Sequence, residues 1–99
     1  MILSEKEVET YLVRKCKQHK LMCIKFTSKS LSGLPDRLIL GHDALVTFIE
    51  LKSSIGKVRP LQEYIHLTLR AKGFEVLVIN SKQGVDEYIK RATASAINL

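Results

Sequence analysis

The sequence contains little cysteine, little proline and no tryptophan. Among its 99 residues are two cysteines, two prolines and three histidines. Two cysteines are too few for the disulfide framework of a small secreted domain, and the spacing of Cys16 and Cys23 matches no zinc-binding motif. The histidines add no paired motif. We therefore expect both cysteines to be buried thiols in a reducing compartment.

Long apolar runs are also missing, and acidic residues are in the minority. No stretch is long enough to span a membrane, and the chain opens without the pattern of a signal peptide. Sixteen lysines and arginines stand against ten aspartates and glutamates, which gives a formal net charge of +6. This excess favours a polyanionic partner, first nucleic acid and second a membrane surface. We expect an intracellular, cytoplasmic protein.

The apolar patterning predicts one α/β domain. Its length suits a single domain, and Ser4 followed by Glu7 has the spacing of a capping box before a helical stripe. Helices are predicted at about 5–19, at about 59–72 and from Asn80 or Ser81 onward. Strands are predicted at 21–26, 36–41, 45–52 and 74–79. The order αβββαβα predicts a mixed four-stranded sheet flanked by helices, in which the second and third strands form an antiparallel hairpin.

Three finer expectations concern burial. Leu61, Ile65 and Leu69 are predicted to form the inner face of the second helix, whereas His66 is placed at the surface. The last strand is almost wholly apolar, which is typical of a strand covered on both faces. The tail 91–99 is weakly patterned, so the core of the domain is expected within about 4–90.

Two carboxylates and a lysine fall at the ends of the predicted hairpin strands. Asp36 begins one strand and Glu50 lies near the end of its antiparallel neighbour, which places both at the same sheet edge. Lys52 is two residues further on and shares a face with Glu50. Each of these residues alone is more often a turn residue or a solvated surface charge. Together they suit metal-dependent phosphodiester hydrolysis.

The chemistry of that reaction explains the residue types. Carboxylate oxygens bind Mg²⁺ or Mn²⁺, and the metal lowers the pKa of a bound water and neutralises charge on the phosphate. A lysine ammonium beside the metal can orient the water or stabilise the transition state.

The segments that surround these residues carry a family resemblance. The "LPD" of Leu34–Asp36, the "ELK" of Glu50–Lys52, the Ser/Lys/Gly loop before the first and the "RPLQ" after the second resemble the PD-(D/E)XK nuclease superfamily. More narrowly, about residues 4–90 resemble a VRR-NUC (virus-type replication-repair nuclease) domain of the small phage and bacterial kind. This implies a restriction-endonuclease-like αβββαβ core.

The resemblance also implies roles for individual residues. Asp36 and Glu50 would bind the metal together with the Leu51 backbone carbonyl, and Lys52 would be the catalytic lysine. Gln62 would face the site from the second helix. Family members have an acidic residue on the first helix that completes the metal shell; Glu5 and Glu9 both qualify, and Glu9 is preferred.

Basic and hydroxyl side chains in the neighbouring loops are candidates for phosphate contacts, which give affinity without base specificity. They are Lys25, Ser28, Lys29, Ser30, Lys57 and Arg59. The resemblance implies a structure-selective, Mg²⁺- or Mn²⁺-dependent DNA endonuclease, similar to Holliday-junction resolvases in replication, repair and recombination, in a phage or bacterial setting. A homodimer would supply two active sites. The alternatives are a non-catalytic nucleic-acid-binding module on a nuclease fold and a sequence-specific restriction-type nuclease.

Overall fold

Helices and strands follow one another in the predicted order over residues 2–27 and 31–97, which the computed structural model describes. The helices are α1 (Glu5–Gln18), α2 (Pro60–Ala71) and α3 (Lys82–Ile97). The strands are β1 (Met22–Lys25), β2 (Arg37–Leu40), β3 (Val46–Leu51) and β4 (Glu75–Ile79). The order αβββαβα is confirmed, and most boundaries lie within two residues of the predicted ones.

The four strands form one mixed sheet in the order β1-β2-β3-β4. β1 pairs with β2 and β2 with β3 in antiparallel orientation, whereas β3 pairs with β4 in parallel. The parallel pair needs a crossover connection, and α2 provides it. In the β2–β3 register Arg37 lies opposite Ile49. One step further along the same register, Asp36 lies opposite Glu50.

The two faces of the sheet are covered by different helices. α1 and α3 pack on one face, where Leu12, Ile49 and Val85 are fully buried in the main core. Because side chains alternate along a strand, the neighbours of Ile49 on β3 point to the other face. α2 covers that face only in part, so Val78 of β4 remains 42% exposed. The prediction that the last strand is covered on both faces is therefore wrong.

The start of α1 is fixed in two ways. The Glu7 backbone N–H donates to Ser4 Oγ at 3.1 Å, and the Ser4 N–H donates to Glu7 Oε1 at 3.2 Å, which confirms the capping box. The Leu3 N–H donates to Ser54 Oγ, and the Ser54 N–H donates to the Leu3 carbonyl, both at 3.1 Å. These bonds place the N-terminus of α1 beside the chain that leaves β3.

The inner face of α2 differs from the predicted one. Ile65 is buried as expected, but Leu61 is 52% exposed and His66 is only 2% exposed. The helix is rotated so that Gln62 and His66 point to the sheet. Gly33 contributes to this fit: it has a φ of +88°, and a Cβ there would lie 3.0 Å from the Leu61 carbonyl oxygen and from Ile65 Cγ1. Only glycine accommodates both the left-handed backbone and this close approach.

The C-terminal helix extends further than predicted, and the two cysteines differ in their burial. α3 continues through residue 91 without a break, and Ala92 is buried in the core, so the predicted boundary at 90 is too early. Cys16 is buried and Cys23 half-buried, and both are free thiols. In the parts of the chain that the structure describes, no helix combines the length and apolar character needed to cross a membrane.

Candidate active site

Asp36 lies immediately before β2, behind the buried Pro35. Its Oδ2 accepts a hydrogen bond of 2.8 Å from the backbone N–H of Leu51, the last residue of β3. Proline suits this position because it has no N–H to contribute to the sheet. The side chain of Asp36 thus closes the end of the β2–β3 ladder where further backbone pairing stops. The carboxylate is held beside the Leu51 peptide.

Glu50 is a buried acid opposite Asp36. It is 2% exposed, and its Oε1 atom has no hydrogen-bond partner. Burial, followed by the negative charge of Asp36, raises the pKa of Glu50 to about 7, although Lys52 acts in the opposite direction. A carboxylate in such a place is costly unless a cation compensates it.

Two polar side chains, those of Lys52 and Gln62, meet beside Glu50. Lys52 Nζ donates to Gln62 Oε1 at 2.9 Å and lies 3.5 Å from Glu50 Oε2. Gln62 Nε2 in turn donates to Glu50 Oε2 at 3.2 Å. Gln62 is fixed from a second side because the backbone N–H of Arg59 donates to its Oε1 at 2.9 Å. The amide therefore links the lysine to the carboxylate and orients both.

His66 belongs to this site, although it was predicted to lie at the surface. Its Nε2 lies 3.7 Å from Glu50 Oε1, and neither atom has a hydrogen-bond partner. Burial, together with the positive charges of Arg70 and Lys52, lowers the pKa of His66 and favours the neutral ring. The helical spacing of Gln62 and His66, four residues apart, was the available signal, since such residues share one face of a helix.

Glu9 forms an ion pair away from Glu50, Lys52 and Gln62. It accepts a hydrogen bond of 2.9 Å from Arg37 Nε, on the face of the sheet that α1 covers. Glu5 is exposed in the first turn of α1. The structure therefore brings neither glutamate to Asp36 and Glu50, and the role given to Glu9 stays a prediction.

The predicted phosphate-binding residues fall into two groups. Lys25, Lys57 and Arg59 are exposed. Ser28, Lys29 and Ser30 lie outside the described residues. A groove of about 400 Å³ opens at Asp36 and is bordered by Phe26 and the segment 31–35. Asp36 is therefore the carboxylate of the site that borders this groove.

The donor set fits a hard divalent cation. A cation near Asp36 and Glu50 would offset their mutual repulsion and give the orphaned Glu50 Oε1 a partner. Over residues 2–27 and 31–97, no three His, Cys, Asp or Glu side chains are arranged to hold a metal. The protein ligands would then be two carboxylates and the Leu51 carbonyl. This small set is compatible with Mg²⁺, which usually keeps several of its waters.

Comparisons with known proteins agree with this geometry. A solved structure described as a VRR_NUC domain superposes with a TM-score of 0.79 and 28% identity, covering 87% of this chain and 94% of that one. The protein "Putative nuclease p44" of Acyrthosiphon pisum secondary endosymbiont phage 1 is 31% identical over 81 residues, which are 82% of this chain and 87% of the relative. The chain belongs to the VRR-NUC family. No family model matches it.

Membership identifies the class of chemistry. VRR-NUC domains are nucleases, so the chain falls among the hydrolases that act on nucleic acids. The mixed sheet with flanking helices is the VRR-NUC fold. The motif segments that suggested the family from the sequence, around Asp36 and Glu50–Lys52, form the edge where these polar side chains meet.

Proposed function

We propose that this VRR-NUC domain is a metal-dependent, structure-selective DNA endonuclease that hydrolyses phosphodiester bonds. The observation that carries the proposal is the linked group of Glu50, Lys52 and Gln62 directly opposite Asp36. It combines two acids suited to a hard cation with an ammonium group that an amide holds in place. Buried charge is costly for a small domain, so a catalytic use accounts for this arrangement better than stability does.

Each residue has a separate task in this proposal. Asp36, Glu50 and the Leu51 carbonyl would hold Mg²⁺ or Mn²⁺, which activates water and neutralises charge on the phosphate when bound. Lys52 donates hydrogen bonds to the attacking water or to a phosphate oxygen, where negative charge develops. Gln62 holds the lysine ammonium beside Glu50. The exposed Lys25, Lys57 and Arg59 contact flanking phosphates without reading bases.

The preferred substrate in this proposal is branched DNA, with the four-way junction first. The family resemblance supports this choice. Each chain carries one set of Asp36, Glu50 and Lys52, so two opposing cuts need two copies. A homodimer with twofold symmetry supplies them. The setting is replication, repair or recombination in the cytoplasm of a bacterial or phage-infected cell.

A panel of labelled DNAs tests the proposal. Four-way junction, flap, linear duplex and single strand are incubated with Mg²⁺ or Mn²⁺, with Asp36→Asn and Lys52→Met as matched inactive variants. We expect metal-dependent cleavage of the junction by wild type and none by the variants. Equal products from wild type and both variants would remove the enzyme proposal. DNA binding without cleavage in any metal would favour a non-catalytic binding module, and cleavage of duplex at one motif would favour a restriction-type enzyme.

A further inference from the structure

A second groove lies on the opposite side of the sheet edge from α2. It has a volume of about 520 Å³ and runs between the outer side of α1 and the first two strands. Its charged lining consists of Lys6, Glu9, Arg14, Lys17, Lys25 and Arg37. We call it the α1 groove. Five positive charges and one negative charge therefore surround a single concave surface.

Most of the positive charge in the α1 groove is not neutralised by the residues that the structure describes. Arg37 pairs with Glu9 at 2.9 Å. Among the ion pairs formed by residues 2–27 and 31–97, no other involves the lining of this groove. Arg14 instead lies over the Tyr11 ring, 5.1 Å from its centroid. The remaining cations face solvent, where like charges so close together repel and favour an anionic ligand.

The α1 groove begins at the sheet edge that carries the candidate active site. Arg37 directly follows Asp36 in the sequence, and it lies opposite Lys25 in the antiparallel pairing of β1 with β2. Phe26, which follows Lys25, donates its backbone N–H to the Asp36 carbonyl at 3.2 Å. At the other wall, the N-terminus of α1 is bonded to Ser54, two residues beyond Lys52. The groove and the site therefore lie at the same end of the sheet, where Arg37 borders the groove and the preceding Asp36 belongs to the site.

The dimensions of the groove suit a nucleic-acid backbone. Lys6 and Lys17 are eleven residues apart on α1, which corresponds to about 16 Å along the helix axis. This length is comparable to the span of a few successive phosphates of one strand. A membrane-bound helix would instead present large apolar side chains beside its lysines. The groove-facing residues of α1 between Lys6 and Arg14 are Glu9, Thr10 and Val13.

We propose that the α1 groove binds the phosphate backbone of the DNA arm that leads away from the cleavage site. The inference rests on the proposed nuclease function and extends it, because it assigns a binding path to Lys6, Arg14 and Lys17. The cations act as point charges on phosphates, so the contact is independent of sequence. It holds one arm of a branched substrate in a fixed direction from Asp36 and Glu50.

The test is a double variant that removes two positive charges from the groove, Lys6→Gln with Lys17→Gln. Its matched control is Lys72→Gln with Lys90→Gln, which makes the same change in net charge at two exposed lysines away from the groove. Binding to a labelled four-way junction is measured without divalent metal, so that cleavage plays no part. We expect the groove variant to bind roughly 10- to 100-fold more weakly near 0.1 M salt, with a salt slope smaller by about 1.8. The control should resemble wild type.

Two further readouts separate the possible outcomes. Thr10→Glu places a negative charge in the same groove and should also weaken binding, which covers the case in which the double variant fails to fold. Binding of the same variants to anionic vesicles is the second readout. Equal affinity of groove variant and wild type, or equal losses in groove variant and control, would overturn the proposal whether or not the protein cleaves DNA. So would an effect confined to anionic vesicles, with DNA binding unchanged.

Discussion

The side chain of Asp36 is bonded to the backbone of Leu51, across the end of the β2–β3 hairpin. The Leu51 N–H donates to Asp36 Oδ2 at 2.8 Å. This bond holds the carboxylate beside Leu51, the residue whose carbonyl is the proposed third metal ligand. The Asp36 carboxylate therefore serves the fold through its hydrogen bond to Leu51 and the proposed metal binding through its charge. Two substitutions at Asp36 separate these roles.

Asp36→Asn keeps an oxygen that can accept from Leu51 but removes the charge. We expect normal folding and a loss of cleavage of about 1,000-fold or more, because a neutral amide is a poor ligand for a hard cation. Asp36→Ala also removes the hydrogen bond to Leu51, so the free energy of unfolding of this variant should be about 1–2 kcal/mol lower than that of Asp36→Asn. Denaturant unfolding and junction cleavage measure the two effects. Wild-type cleavage by Asp36→Asn would contradict the assigned role.

Gln62→Leu tests the link between Lys52 and Glu50. The variant leaves both charged side chains in place but removes the amide that holds them together. We expect kcat to fall about 100-fold with little change in KM, since the amide orients Lys52 and contacts no bound DNA in this scheme. Glu63→Leu, one residue further along on an exposed part of α2, is the matched control and should keep full activity. An equal loss in both variants would assign the effect to the helix rather than to the amide.

Glu50→Gln should stabilise the metal-free protein at alkaline pH. The pKa of Glu50 is raised from 4.5 to about 7 in the folded chain, so the folded state holds its proton more tightly than the unfolded state. The contribution of Glu50 to stability is fully present below pH 4.5 and is lost as pH rises through 7. At pH 8 the free energy of unfolding of the variant should exceed that of wild type by on the order of 2 kcal/mol. At pH 4 the two proteins should be equally stable. Thermal melts in a chelator measure this difference, and equal melting temperatures at pH 8 would refute it.

Binding of a divalent metal should offset the destabilisation that the negative charges of Asp36 and Glu50 cause. Binding to the folded chain alone raises its stability by mass action, by about 2.7 kcal/mol at one hundred times the Kd. We therefore expect Mg²⁺ or Mn²⁺ to raise the melting temperature of wild type at pH 8 and to have no effect on the Asp36→Asn, Glu50→Gln double variant. A calorimetric titration checks the same difference. Equal metal responses of the two proteins would place the metal elsewhere.

The proposed homodimer makes a prediction about mass. Leu61, Tyr64 and Leu67 are each more than half exposed on the outer side of α2, and apolar groups clustered in this way commonly mark contacts between proteins. Sedimentation should give about twice the chain mass of 11.2 kDa. Leu67→Glu should shift the protein toward the monomer, whereas Lys72→Glu should not. A monomeric wild type at micromolar concentration would contradict the two-site scheme.

The sequence was sufficient for most of the architecture. The capping box at Ser4, the turn between the hairpin strands and the apolar runs each act locally, so the element order and the antiparallel pairing could be inferred from them. The position of Asp36 opposite Glu50 also followed, because antiparallel geometry leaves little freedom once both strands are known. Lys52 then shares the face of Glu50 through strand alternation alone.

The positions of the His66 and Glu9 side chains could not be inferred from the sequence, because they depend on how separate helices and strands pack. His66 was placed at the surface because the apolar residues of α2 suggested a different inner face. The actual rotation follows from contacts with Gly33 and from the bonds that Gln62 makes with Lys52 and Glu50. The ion pair between Glu9 and Arg37 is likewise a contact between α1 and β2, and no local sequence pattern reveals it.

The parallel pairing of β3 and β4 has a consequence for the thermal limits of activity. Asp36 and Glu50 meet through a short hairpin, whereas the Lys52 N–H is bonded to the Ile79 carbonyl on β4, at 3.1 Å. α3 also supplies Val85 and Ile89 to the main core beside Ile49, so β4, α3 and the hairpin should unfold together. The position of the lysine, and with it cleavage, should therefore be lost in the same thermal transition as the fold.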